Sequence, residues 1–281
     1  MKTIRNTFIL GFAFLLVSTT VWAQGDIITA ADFMKLYKAD KSLVIIDASK
    51  AGDFKKSHIK NAINIPNVEL NNNKDDGFLL SADKLATIFG AKGVSNDAAI
   101  VVYDGGSQKP ASRVYVVLKY LGASNVKILH KDMATFKKSR VPLTPMAAKK
   151  KAATFTVNVD NSILATLADV KAGNAKLFDA RDANEFAGTT DKSTGHIPGA
   201  IHLSYKDVQD ANHTFKTKAE LEKIMAAHGV NSSSPIIVSC QSGKRAAVLY
   251  VAFTSVLGYK NVKMYDGSYN EWVAKGNKVD K

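Results

Sequence analysis

The chain has 281 residues, 38 lysines and arginines against 25 aspartates and glutamates, and a formal net charge of +13, a length that suits one large domain or two of ordinary size. Cys240 is the single cysteine and the six histidines are not at ligand spacings, which excludes an intramolecular disulfide and a thiolate metal cluster, and no cofactor motif is present. The positive balance attracts anions, but the lysines are scattered and Lys149-Lys150-Lys151 is the one run of three, so nucleic acid is not an expected partner.

The first elements in chain order belong to export. Lys2 and Arg5 form a positive start, Phe8 to Val17 is a short apolar core, and Val21-Trp22-Ala23 offers small residues at a cleavage site. A transmembrane helix needs about 20 apolar residues, so residues 1–23 are expected to be a cleaved signal peptide, with a periplasmic destination and no remaining membrane span. The body of the chain then alternates. Short apolar runs at Val44 to Asp47, Ile100 to Tyr103 and Val126 to Leu129 read as strands. Longer stretches at Ala82 to Phe89 and Ser112 to Leu121 read as helices, with Ser81 and Ser112 as caps. Pro142 to about Thr154 is rich in breakers and charge and lacks an apolar period, which predicts a linker.

Beyond the linker the pattern resumes, with strands at Leu177 to Asp179, Ile236 to Ser239 and Val262 to Tyr265. Such alternation predicts a mostly parallel sheet covered by helices in each half. The strand ending at Ser239 runs directly into Cys240-Gln241-Ser242-Gly243-Lys244-Arg245 and then into a helix-like segment. A cysteine delivered to a helix N-terminus meets backbone N–H groups and the positive end of the helix dipole, both of which favour a thiolate. Lys244 and Arg245 oppose that dipole, so their presence asks for another reason, such as an anionic ligand.

The two halves are a duplication. Leu43-Val-Ile-Ile-Asp-Ala-Ser matches Lys176-Leu-Phe-Asp-Ala-Arg, His58-Ile-Lys-Asn-Ala-Ile-Asn matches His196-Ile-Pro-Gly-Ala-Ile-His, and Leu121-Gly-Ala-Ser-Asn-Val-Lys matches Leu257-Gly-Tyr-Lys-Asn-Val-Lys. Asp104 stands to Cys240 at the same offset as Gly122 to Gly258, so aspartate occupies the cysteine position in the first half. His196 recurs as His58 in the half that lacks a cysteine, which makes it a packing residue rather than a base. Trp272 and its counterpart Phe136 read as core aromatics.

Asp179-Ala-Arg, Gly195-His-Ile-Pro-Gly-Ala, the Cys240 loop and Tyr265-Asp-Gly-Ser-Tyr-Asn-Glu-Trp, in this order and echoed in the first half, closely resemble the tandem-domain rhodanese sulfurtransferases. The resemblance implies an α/β fold of two rhodanese-like domains, each a mostly parallel sheet flanked by helices. It divides the chain into a non-catalytic domain at 25–145, a linker at 146–156 and a catalytic domain at 157–281. It implies that Cys240 attacks a small anionic sulfur donor, thiosulfate first and 3-mercaptopyruvate second, and carries the sulfur as a persulfide to cyanide or a thiol, including a protein thiol. Gln241, Ser242, Gly243, Lys244 and Arg245 would then wrap the sulfur and bind the donor. Arg181, at a strand end with Asp179, is a further donor-binding candidate, with a structural ion pair as the other reading.

One departure stands out. Tandem relatives commonly carry an arginine before the aromatic of the Phe-x-Gly segment, and this chain has Glu185 before Phe186. A carboxylate there would repel an anionic donor, which leaves Lys244 and Arg245 to bind it. The phosphatases of the same fold need five residues between cysteine and arginine, and here four separate Cys240 from Arg245. A sulfur carrier or sulfide-sensing module without turnover is the remaining alternative.

Overall fold

The computed structural model describes residues 25–72, 78–131, 133–191 and 193–281, so the expected signal peptide lies outside it. Each half folds around a five-stranded, wholly parallel sheet. In the first the order is Ile27–Ile28, Val126–Leu129, Ile100–Tyr103, Val44–Asp47, Ile63–Asn64. In the second it is Leu164–Ala165, Val262–Tyr265, Ile236–Ser239, Lys176–Asp179, Ile201–His202, the same order strand for strand. The three inner strands of each sheet stand where the sequence predicts them. They are mostly apolar because helices cover both faces, and Val44–Asp47, Ile100–Tyr103 and Ile236–Ser239 are buried along their whole length. The outer strands have two residues each, too short for any period to reveal.

Helices Lys109–Tyr120 and Lys244–Val251 follow the fourth strand of their respective domains and pack against each other, forming the seam between the two. Almost every side chain from Ala111 to Leu118 and from Ala246 to Val251 is buried, so one apolar core runs from the first sheet through both helices into the second. The first of these helices begins earlier than expected. Ser112 is not its cap but a buried interior residue; the N-cap is Gln108, in a left-handed conformation, with Pro110 in the first turn. The cap bonds come instead from Asp104, as described below.

The linker is packed onto the first domain. Phe155 is buried against Phe89 with ring centroids 5.7 Å apart, and Ala153 N–H donates to the Gly90 carbonyl. The contact continues past the expected boundary, where Asn158 and Asp160 N–H groups donate to Leu121 and Tyr120 carbonyls. Gly122, with φ +89°, is required there, since a Cβ would lie 2.4 Å from the Asn158 carbonyl oxygen. Among the described residues no helix is long and apolar enough to cross a membrane.

Candidate active site

Both carboxyl-end strand tips face a cleft between the domains of about 380 Å³. Its C-terminal wall is Asp182, Tyr205, Cys240, Ser242, Lys244 and Arg245. The opposite wall, from the other domain, includes Lys50, Asn67, Ser107 and Lys109. Parallel sheets place ligands at this end of their strands, because the loops there join strand tips to helix N-termini.

Cys240 follows the strand Ile236–Ser239 and is 1% exposed. Its sulfur accepts a hydrogen bond from Gly243 N–H at 3.1 Å, at the N-cap of helix Lys244–Val251. Its own N–H donates to Ser268 Oγ at 3.2 Å, and Ser268 Oγ in turn donates to the Tyr265 carbonyl at 2.8 Å. Ser268 takes φ +51°, a strained position for a residue with a side chain, and these bonds hold it there. The Cys240 and Gln241 carbonyls accept from Tyr269 and Asn270 N–H groups, and the Gln241 side-chain amide donates to Asn270. The loop is thus pinned along one side to the segment that follows the strand Val262–Tyr265.

The first domain contains a natural control for this loop. Asp104 Oδ1 accepts from Gly106 and Gln108 N–H groups at 2.7 and 3.2 Å, and Oδ2 accepts from Ala111 N–H at 3.2 Å. A carboxylate side chain therefore fills the amide cradle that the same scaffold builds around Cys240, and caps the helix that follows. Burial pushes the Asp104 carboxyl up from its ordinary range, while the three amides pull the other way.

The basic residues of the loop have separate surroundings. Arg245 makes a two-pronged ion pair with Glu185, with Nη2 2.8 Å from Oε1, and its Nη1 lies 3.7 Å from Asp182. The hydrogen bonds from Arg245 hold the Glu185 carboxyl below its usual range against the effect of burial. Glu185 therefore does not stand bare in the site; it neutralises Arg245. Lys244 lines the cleft without an ion-pair partner among the described residues. Burial pulls its ammonium below the ordinary lysine range, the charge of Arg113 adds to this, and the charge of Cys240 opposes it.

Arg113 is a residue that sequence reasoning missed. It projects from the first domain's seam helix and is 0% exposed. Its Nη2 donates to Asp266 Oδ1 at 2.7 Å, and Asp266 Oδ2 also accepts from Leu79 N–H at 2.9 Å. The guanidinium lies against the turn at Gly243, where φ is +86° and a Cβ would fall 2.6 Å from Nη1. The cysteine-free domain thereby buttresses the loop from behind.

Arg181, expected as a donor-binding candidate, is placed elsewhere. It is 0% exposed, does not line the cleft, and spends its donors inside the domain. Nε and Nη2 grip Asp179 at 2.7 to 3.0 Å, Nη1 donates to Ser193 Oγ at 2.8 Å, and Nη2 donates to the Gly195 carbonyl at 2.9 Å. The guanidinium also covers the Tyr269 ring at 4.1 Å, so Arg181 braces the domain from within and does not face the cleft. His58 and His196 do similar jobs. They stack on Phe54 and Phe186 respectively, each at 3.7 Å, and each ring Nδ1 contacts that phenylalanine's carbonyl oxygen, while His58 Nε2 also contacts the Met146 carbonyl. Trp272 is 8% exposed and donates to the Lys278 carbonyl at 2.7 Å.

Comparison with known proteins agrees with this geometry. The model of the rhodanese-like domain matches twice, over residues 29–139 and 164–275. The chain therefore belongs to the rhodanese-like family, with one copy of the domain in each half. It is similar to a 3-mercaptopyruvate sulfurtransferase of Escherichia coli, 28% identical over 280 residues, covering 92% of this chain and 97% of that one. It is also similar to a protein of Mycolicibacterium smegmatis whose name assigns it as a thiosulfate sulfurtransferase, 27% identical over 265 residues, covering 89% and 95%. Among solved structures, the 3-mercaptopyruvate sulfotransferase SseA of Escherichia coli superposes with a TM-score of 0.78 at 27% identity, over 87% of this chain and 99% of that one. The Tum1 protein of Saccharomyces cerevisiae superposes with a TM-score of 0.77 at 25% identity, over 90% and 96%.

Proposed function

We propose that the protein is a sulfurtransferase in which Cys240 carries the transferred sulfur. The observation that supports this most directly is the sulfur atom of Cys240 at a helix N-terminus, on the wall of the cleft, accepting the Gly243 N–H. The thiolate attacks the outer sulfur of thiosulfate. A new S–S bond forms, the S–S bond of the donor breaks, and sulfite leaves with the electron pair. The outer sulfur of the resulting persulfide is anionic and sits among preorganised amides, as the Asp104 carboxylate does in the other domain. Cyanide or a thiolate then attacks that sulfur and returns Cys240 as a thiolate. Two half-reactions through one covalent intermediate give ping-pong kinetics.

Thiosulfate is the favoured donor because the cleft is small and rich in cations, and the relatives carry both thiosulfate and mercaptopyruvate names. The phosphatase reading loses its anion-gripping arginine, since Arg245 is engaged by Glu185. The N-terminal export pattern supports action in the periplasm, on acceptors found there. The test is an intact mass of residues 24–281 after incubation with thiosulfate. A gain of about 32 Da, removed by cyanide and absent from Cys240→Ser, is expected of a covalent carrier. A chain that takes up no sulfur from thiosulfate or mercaptopyruvate is not a sulfurtransferase. Uptake without discharge to cyanide or thiols would favour the carrier reading.

A further inference from the structure

The cleft straddles the seam between two copies of one domain, so each lining position has a counterpart across it. Lys109 occupies the loop position of Arg245, Lys50 follows its strand as Asp182 does, and Asn67 matches Tyr205. In the second domain the charges at these positions are mutually satisfied. Arg245 pairs with Glu185 and approaches Asp182, and Asp182 also holds Lys206 at 2.7 Å. In the first domain both positions are cationic. Neither Lys50 nor Lys109 has a carboxylate partner within ion-pair distance among the described residues, although Lys109 rests over the Tyr205 ring at 4.9 Å. Two lysines and Lys244 thus face one small space whose lining carboxylate, Asp182, is held by Lys206 and approached by Arg245.

Asn67 adds an independent sign. It is 6% exposed, it lines the cleft, and its side-chain amide nitrogen has no hydrogen-bond partner among the described residues. Leaving a buried donor unpaired costs about 1–3 kcal/mol, so natural structures reserve such groups for a ligand or a bound water. The same electrostatic neighbourhood is felt by Lys244, whose charge is disfavoured by Lys109 and Lys50 as well as by burial and Arg113.

We infer that the cysteine-free domain carries the anion-recognition half of the donor site, with Lys50, Lys109 and Asn67 gripping the dianionic oxoanion head of a thiosulfate-type donor while its outer sulfur faces Cys240. The inference rests on the sulfurtransferase reading and deepens it. The gripped head is the group that leaves as sulfite, so these residues hold negative charge before and after the S–S bond breaks. A singly charged keto-acid donor satisfies fewer of the cations, so the arrangement selects thiosulfate over mercaptopyruvate.

The test separates binding from turnover. Cys240→Ser protein binds thiosulfate without consuming it, and calorimetry measures its Kd in that background with and without Lys50→Met, Lys109→Met and Asn67→Ala. Each lysine removal is expected to weaken thiosulfate about 10-fold, and the double lysine variant about 100-fold, with sulfate following as an inert dianion. In the Cys240 protein the same changes should raise KM for thiosulfate while kcat and the discharge of a preloaded persulfide by cyanide stay within about twofold. Lys50→Arg and Lys109→Arg should restore binding. Unchanged thiosulfate Kd in the double variant, or an equal loss of thiosulfate and mercaptopyruvate, would overturn the inference. Neither result touches the sulfur-loading mass that tests the sulfurtransferase reading, and failure of that mass would leave the binding comparison to stand by itself.

Discussion

Gly243→Ala tests whether the cysteine-free domain supports the loop mechanically. The added methyl would lie 2.6, 3.0 and 3.3 Å from Nη1, Cζ and Nη2 of Arg113. Arg113 has little room to yield, because it is fully buried and its Nη2 is held by Asp266 at 2.7 Å. Two costs add. A side chain at φ +86° costs about 1–2 kcal/mol, and overpacking a buried site adds about 1–3 kcal/mol. The expected loss of stability is therefore about 2–5 kcal/mol. Relief of the contact moves the Gly243 N–H off the cysteine sulfur, so single-turnover sulfur loading should slow about 10- to 100-fold. In an Arg113→Ala background the contact is gone and only the backbone cost remains, about 1–2 kcal/mol. Urea unfolding of the four proteins closes the cycle. If Gly243→Ala costs the same in both backgrounds, within about 0.5 kcal/mol, the two residues do not press on each other and the buttress argument is wrong.

Two further outcomes are expected. Arg181→Met should destabilise the protein by about 3–5 kcal/mol, because it leaves the buried Asp179 without its cation, yet leave KM for thiosulfate unchanged below the melting transition; a raised KM at unchanged stability would return Arg181 to the donor site. Lys244 titrates below the ordinary lysine range, so as pH rises through its pKa the cleft loses a positive charge beside Lys50, Lys109, Arg113 and Cys240. KM for thiosulfate should therefore climb on the alkaline side, and Lys244→Arg should flatten that climb; superimposable KM–pH profiles would show that Lys244 does not hold the donor.

Much of the site was legible because covalent order and local chemistry place it. A β run ending at Ser239, then Cys240, then a glycine turn and a helix is one contiguous segment, and the structure keeps it contiguous. The repeat made Asp104 visible as the cysteine's counterpart, although its capping of Gln108 and Ala111 required the loop's actual path. The place of Arg181 at a strand tip points toward the site, whereas burial and five side-chain hydrogen bonds turn it inward. The helix expected from Ser112 begins at Lys109 instead, because its first-turn N–H groups are satisfied by Asp104, a residue of the preceding loop, and Pro110 fits the first turn.

The amino-acid order by itself determined the two α/β domains, their inner strands, the cysteine between a strand tip and a helix, and the carboxylate that stands in for it. These follow from short-range pattern and from an internal repeat, and both survive in one dimension. The tertiary structure alone decided what faces Cys240. Lys50, Asn67 and Lys109 lie far from it along the chain and share its cleft, and Arg113 backs its loop at Gly243, because two buried helices pack against each other across the seam. The pairing of Glu185 with Arg245 was decided at the same level, since a charge repels or neutralises according to what lies within a few ångströms of it, and sequence separation carries no such distance.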